Sequence, residues 1–315
     1  MTIAFVFPGQ GSQSVGMLDV WSADPVIEGL LKDADHALQE PLTELIHAGP
    51  AESLAVTVNT QPAMLLAGVC AWRAWEHAGG PQATLMAGHS LGEYAALVAA
   101  GAIKFIDALR LVRLRAQAMQ NAVPAGTGSM AAIIGLDDES VLATCAEISA
   151  STGQCVEAVN FNAPSQVVIA GHRHAVEQAC IALKARGAKR ALALPVSAPF
   201  HSSLLRPAGD QLAQALDDYA IEPPLVPVIH NVDVKAHSAP DAIRQALVAQ
   251  AFSPVRWVDT IQSMRQQGID TVIEMGPGKV LAGLVSRIDK DMRVMSVYDP
   301  STLAQALASL GQSRS

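Results

Sequence analysis

The stretch that decides the reading of this chain is TLMAGHSLGEYAALVAAGAI, residues 84–103. A short apolar run, ATLMAG (83–88), is followed at once by a pattern of helix formers, with the serine of a G-x-S-x-G motif (Gly88-His89-Ser90-Leu91-Gly92) at the junction. A strand that turns directly into a helix through two small residues makes a sharp elbow, which lifts the hydroxyl of Ser90 clear of the sheet. The unpaired N–H groups and positive dipole end of the following helix then point at the same place. The motif also occurs by chance in a chain rich in glycine, serine and alanine, so the flanking strand and helix carry more weight than the pattern alone.

Working outward, IAFVFPG (residues 3–9) is a second short strand ending in a Pro-Gly turn, and DPVIEGLLKDADHAL (24–38) is a helix capped by Asp24 with Pro25 at its first position. TQPAMLLAGVCAWRAWEHAGG (60–80) reads as a helix stopped by a double glycine, and DALRLVRLRAQAMQNAVPAG (107–126) as a long helix ended near Pro124. Alternating strands and helices predict an α/β fold with a mainly parallel sheet. The middle of the chain changes character. SMAAIIGL, DDESVLATCAEISA, VEAVNFNA, SQVVIAG, HRHAVEQACIALKARG and KRALALPV follow one another as β-α-β-β-α-β. That order predicts a small ferredoxin-like subdomain over 125–196, inserted in a large α/β-hydrolase-like catalytic domain made of 1–124 plus 197–315. A helix at 207–219, another near 255–267, the strand DTVIEMGPG and a closing helix complete the large domain, and the cleft between the two is the expected ligand site.

Composition excludes several classes. The chain has 315 residues, half of them hydrophobic and 16% charged, with a formal net charge of −8, which argues against nucleic acid as a partner. Only the last residues, GQSRS, read as disordered. Cys70, Cys145, Cys155 and Cys180 contain no C-x-x-C pair and no zinc spacing, so they read as buried thiols of a reducing compartment. The start, MTIAFVFPGQGSQ, lacks a basic n-region, and the longest apolar run, near Tyr94–Ile103, is too short to span a bilayer. The expectation is a cytoplasmic protein with no membrane partner.

A serine nucleophile needs a base. Of nine histidines, His36, His47 and His77 fall at polar positions of helices. His172 and His174 form an H-x-H without a third ligand nearby in sequence, which favours a surface over a metal. His201 follows a strand and the SAPF turn where the chain re-enters the large domain at the cleft, and is the stronger candidate; His89, beside Ser90, is the weaker. Arg115 shares a helical stripe with Ala108, Leu111, Ala118 and Met119, whereas Arg110 and Arg113 lie on other faces and read as solvated. An arginine in an apolar stripe requires a partner. By chemistry alone that partner is either an internal Asp or Glu, or a substrate with a free carboxylate held in a bidentate pair.

Taken together, FPGQGSQ (7–13), TQPA (60–63), GHSLGE (88–93), RLRAQAM (113–119), APFHS (198–202), FSPVRW (252–257) and EMGPGKVL (274–281) resemble the malonyl-CoA:acyl carrier protein transacylase family of fatty acid and polyketide synthesis. The resemblance covers nearly the whole chain. It implies that Ser90 is the acylated nucleophile and His201 its general base, and that the backbone N–H groups of Gln10 and Leu91 form the oxyanion hole. It further implies that the main-chain carbonyl of Gln250 orients His201, a dyad instead of a triad. Arg115 matches the malonyl-binding arginine, with His89, Gln61, Met119 and Asn160 lining the substrate cleft and Phe200 accompanying malonyl over bulkier acyl groups. The implied activity is ping-pong malonyl transfer from malonyl-CoA, with coenzyme A leaving, to the phosphopantetheine thiol of acyl carrier protein. It needs no metal and no cofactor. Within the family, a fatty-acid role competes with a freestanding polyketide acyltransferase and a malonate decarboxylase subunit. Outside it stand a serine hydrolase or thioesterase and a non-catalytic scaffold. A monomer is the default expectation.

Overall fold

The computed structural model describes residues 2–196 and 198–311. Five strands, β1 (Ile3–Phe7), β2 (Leu85–Gly88), β7 (Val228–Ile229), β8 (Thr271–Met275) and β9 (Arg293–Val297), form a parallel sheet in the order β7-β2-β1-β8-β9. A second, antiparallel sheet in the order β4-β5-β3-β6 contains β3 (Gly128–Ile134), β4 (Val156–Ala163), β5 (Gln166–His172) and β6 (Arg190–Ala193).

β1 shows why the parallel sheet is central. All five of its residues are buried, because both faces are covered. Ile3, Phe5 and Phe7 point into a core with helices α1 (Pro25–Leu38), α2 (Leu42–Ala48), α3 (Ala51–Leu54), α4 (Thr57–His77), α5 (Gly92–Ala99) and α6 (Phe105–Asn121). Ala4 and Val6 point the other way. The strand period of two thus divides one run of apolar residues between two cores. The α1 cap is as the sequence indicates: Asp24 accepts from the amide of Val26, with Pro25 in the first turn. Helix α4 begins three residues before the predicted TQPA start and carries Pro62 inside it.

The small sheet is backed on one face by α7 (Asp138–Thr152) and α8 (Arg173–Ala185). Its other face presents Met130, Val168 and Ala170 to Ala118, Met119, Phe200 and Leu205 of the larger unit. The two units are also tied through the backbone: the amide of Phe161 donates to Val255 O at 3.0 Å and that of Val255 to Val159 O at 2.9 Å. The chain then continues through α9 (Arg206–Leu216), α10 (Pro240–Gln250), α11 (Trp257–Gln266), α12 (Val280–Ile288) and α13 (Pro300–Gly311).

Three readings require correction. The strand β9 and the helix α13 follow α12, so the helix after DTVIEMGPG does not close the fold. Arg113 is not solvated; it pairs with Glu40 at 2.6 Å and with Asn59 at 3.1 Å, because α1 and α4 pack over that shoulder of α6. Cys155 and Cys180 are half-buried, unlike Cys70 and Cys145, and all four cysteines are free. His36, His47 and His77 are exposed. No helix among the described residues is long and apolar enough to cross a membrane. Ser197, at the predicted domain boundary, and residues 312–315 of the tail lie outside the described residues.

Candidate active site

Ser90 sits in the elbow between β2 and α5 with φ of +54°, the left-handed region that non-glycine residues rarely occupy. The flanking glycines serve close approach. A Cβ on Gly88 would overlap the backbone of Gly92, and one on Gly92 would overlap the carbonyl of Phe7. The strained serine is held from outside the elbow: its amide donates to Asn231 Oδ1 at 2.7 Å, while Asn231 Nδ2 donates to Gly88 O at 2.6 Å. Strain of this kind persists only where surrounding bonds over-determine it.

The Oγ of Ser90 lies 2.7 Å from Nε2 of His201. On the far side of the ring, Nδ1 stands 2.9 Å from Gln250 O, which can only accept. The proton is therefore on Nδ1, and Nε2 is free to receive the Ser90 hydroxyl proton. His201 also has positive φ, +65°, and is 4% exposed. Burial, followed by the neighbouring Arg115 charge, pushes its pKa down to about 3, so the ring is a neutral base throughout the neutral range.

Arg115 projects from α6 and is 2% exposed. Nη1 donates to Gln61 Oε1 at 2.7 Å, and Nη2 to Gln250 Oε1 at 2.8 Å and to Ser90 Oγ at 3.2 Å. Among the described residues no Asp or Glu forms an ion pair with it, and its Nε–H has no acceptor. The internal ion pair left open by the sequence is not formed. Desolvation pulls the guanidinium pKa below its ordinary value, though a guanidinium starts so high that it stays charged.

A cavity of about 190 Å³ opens at this point, lined by Gln10, Gln61, His89, Ser90, Leu91, Arg115, Met119, Asn160, Phe200 and His201, with Leu194 and Val196 from the connection after β6. Every predicted site residue lines it except Gln250, which stands behind His201 and Arg115. The amides of Gln10 and Leu91 have no backbone acceptor among the described residues, as expected of donors kept for an oxyanion. His89 bonds Asn162 at 2.8 Å through Nε2, and its ring lies 5.5 Å from Trp257. Asn160 is buried at an irregularity of β4.

Sequence reasoning missed the layer beneath. Glu93, fully buried, accepts from the amide of Asn231 at 2.9 Å and from Gln250 Nε2 at 2.9 Å, with His230 Nδ1 at 2.7 Å. Gln250 Nε2 also donates to Ser90 O at 3.0 Å. A signal existed in Glu93: it lies one residue after the motif, in a run that is otherwise apolar through Ala100. His172 is half-buried and accepts the amide of Cys155; among the described residues no cluster suited to a metal is present.

The profile of the acyl transferase domain family matches residues 4–300. The malonyl CoA-acyl carrier protein transacylase of Escherichia coli (strain K12) is 53% identical over 305 residues, covering 96% of this chain and 98% of that protein. The enzyme of the same name from Bacillus subtilis (strain 168) is 43% identical, covering 98% and 97%. The crystal structure of acyl-carrier-protein S-malonyltransferase from Burkholderia pseudomallei 1710b superposes with a TM-score of 0.96 at 57% identity, covering 98% of this chain and 100% of that one. A malonyl-transacylase in complex with its type II polyketide acyl carrier protein also gives 0.96, at 50% identity, covering 98% and 100%. The chain belongs to the malonyl-CoA:acyl carrier protein transacylase family of acyl transferase domains.

Proposed function

We propose that the protein transfers the malonyl group from malonyl-CoA to the phosphopantetheine thiol of acyl carrier protein through a malonyl-Ser90 intermediate, in support of fatty acid biosynthesis. The observation that carries this reading is Arg115: a buried guanidinium without an acidic partner among the described residues, 3.2 Å from the Ser90 hydroxyl. It selects a substrate that brings its own carboxylate.

Nε2 of His201 takes the Ser90 proton as Oγ attacks the thioester carbonyl, and the amides of Gln10 and Leu91 bind the oxyanion. Coenzyme A thiolate leaves and receives the proton from His201. The carrier-protein thiol then attacks malonyl-Ser90 in the reverse sense, giving its proton to Nε2. The Gln250 carbonyl stabilises the transient imidazolium in place of a carboxylate, and no metal or redox cofactor is required. The neutral acceptor behind His201 speaks against a Ser-His-Asp hydrolase, and an intact Ser90–His201 pair against a scaffold. A second reading, a polyketide role, has one solved complex with a polyketide carrier in its favour and differs in the carrier supplied.

In the finer description of the fold, the elbow and parallel sheet support an α/β-hydrolase-like larger unit, residues 1–124 plus 197–315. The helix-backed order β4-β5-β3-β6 supports a ferredoxin-like insertion, 125–196. We read the protein as cytoplasmic and monomeric, working apart from membranes and nucleic acid.

The test is intact mass of the protein mixed with malonyl-CoA, and separately with acetyl-CoA, before and after addition of holo acyl carrier protein. A malonyl adduct absent in Ser90→Ala, passing to the carrier faster than to water, is expected. An adduct lost to water regardless of carrier would make the protein a hydrolase, and no adduct would remove the catalytic reading.

A further inference from the structure

Arg115 and Gln10 have separate roles at Ser90 in the mechanism, yet a continuous chain of hydrogen bonds joins them. Arg115 Nη1 donates to Gln61 Oε1 at 2.7 Å, Gln61 Nε2 donates to Thr57 Oγ1 at 3.2 Å, and Thr57 Oγ1 donates to Gln10 Oε1 at 2.9 Å. The direction is fixed by chemistry. A guanidinium can only donate, so the oxygen of the Gln61 amide must face Arg115 and its NH2 must face Thr57. The Thr57 hydroxyl, receiving one hydrogen bond, has its own proton for Gln10. Bonds aligned head to tail in this way polarise and order one another.

Thr57 is 4% exposed and is the first residue of α4. Its neighbour Thr60 spends its hydroxyl on the carbonyls of Leu54 and Val56, the usual local use at a helix start. Thr57 instead reaches 47 positions back to the loop after β1. That loop has glycine on both sides of Gln10, with Gly11 at φ of +117°, so its own backbone does little to fix the direction of the Gln10 amide.

We propose that Thr57 is a positioning residue: through its hydroxyl it orders Gln10 and fixes the Gln61 amide, coupling the arginine that holds the substrate carboxylate to the oxyanion donor. The proposal rests on the malonyl-transfer reading above. It acts on kcat for acyl groups with a carboxylate, because only these engage Arg115 while the oxyanion forms.

The experiment compares the parent protein, Thr57→Val and Thr57→Ser, each checked by thermal melting, in transfer to holo acyl carrier protein from malonyl-CoA and from acetyl-CoA. Valine keeps the shape and removes the hydroxyl; serine restores it. Thr57→Val is expected to lower kcat for malonyl transfer by about 10-fold, the size of one lost hydrogen bond of about 1.4 kcal/mol, with KM changed less than about 3-fold. The malonyl-to-acetyl ratio of kcat/KM should fall with it, and Thr57→Ser should recover both. Parental kinetics in Thr57→Val would overturn the proposal, as would a Thr57→Ser protein that melts normally yet is as slow as the valine variant. Failure of the parent itself to form a malonyl adduct would instead overturn the reading on which the proposal rests.

Discussion

Replacing Arg115 with methionine tests the central claim, because methionine fills the volume of the side chain without its charge or donors. In the free enzyme the guanidinium bears a desolvation cost that its bonds to Gln61 and Gln250 only partly offset, so loss of the charge is not itself a large loss of stability. On the proposed reading, a bidentate pair in the malonyl complex supplies two charge-assisted hydrogen bonds, each roughly 1.5–3 kcal/mol, or about 3–6 kcal/mol together. At about 1.4 kcal/mol per factor of ten, malonyl transfer should fall by roughly two to four orders of magnitude in kcat/KM. Acetyl transfer makes no such pair and should change by less than about 3-fold, so the variant should lose or reverse its preference. The assay is a quenched-flow time course of acyl-Ser90 by intact mass with each thioester. A loss of equal size for malonyl and acetyl would rule out carboxylate binding by Arg115, since it would make Arg115 a support of the dyad. A second readout comes from His201, whose pKa is held down partly by the same charge. The acid limb of acetyl transfer should move to higher pH in the variant.

Two further outcomes follow from the elbow and the base. His201, pushed down to about 3, remains neutral as pH falls, so kcat/KM should stay flat between about pH 5 and 8, where an unperturbed histidine would impose a limb near 6.5. The folded state favours the neutral ring, so the associated stability is present above the unfolded value and is lost as pH falls toward 3; a limb near 6.5 in the pH–rate profile would contradict the buried neutral base. Gly92→Ala places a methyl against the carbonyl of Phe7 and should cost about 1–3 kcal/mol, lowering the melting temperature by several degrees, together with activity. Unchanged melting by calorimetry would show that the elbow tolerates a side chain.

How much of this was legible in the sequence depends on whether a residue declares itself by local pattern. The strand-elbow-helix around Ser90, the Asp24-Pro25 start of α1 and the apolar stripe carrying Arg115 are local, so spacing reveals them. β9 and α13 were readable in principle: RVMSV is a short apolar run, and Asp299 accepts the amide of Thr302 just ahead of a helical pattern. Asn231 was not, because its role depends on bonds to Ser90 and Gly88, 141 and 143 positions away, and nothing around it in the chain signals them. The same holds for Thr57, whose partner lies 47 positions back. Arg113 misled for a related reason: a 3.6-residue period says which face a side chain is on, while the depth of the covering layer depends on α1 and α4.

The polar groups around Arg115 explain why amides stand where carboxylates would bind more tightly. Gln61 and Gln250 each give the guanidinium a directional oxygen and no charge, so its orientation is fixed while its field stays uncancelled. Glutamate at either place would form the internal ion pair and leave an incoming malonyl carboxylate to compete with a tethered one. The nearest buried acid, Glu93, is kept occupied by His230, the amide of Asn231 and the NH2 of Gln250. That last bond, together with the one to Ser90 O, consumes both donors of the Gln250 amide and so determines that its oxygen faces Arg115. A buried carboxyl group thereby orients the arginine through a neutral intermediary, and on the proposed reading the neutralising contact is left for the substrate to make.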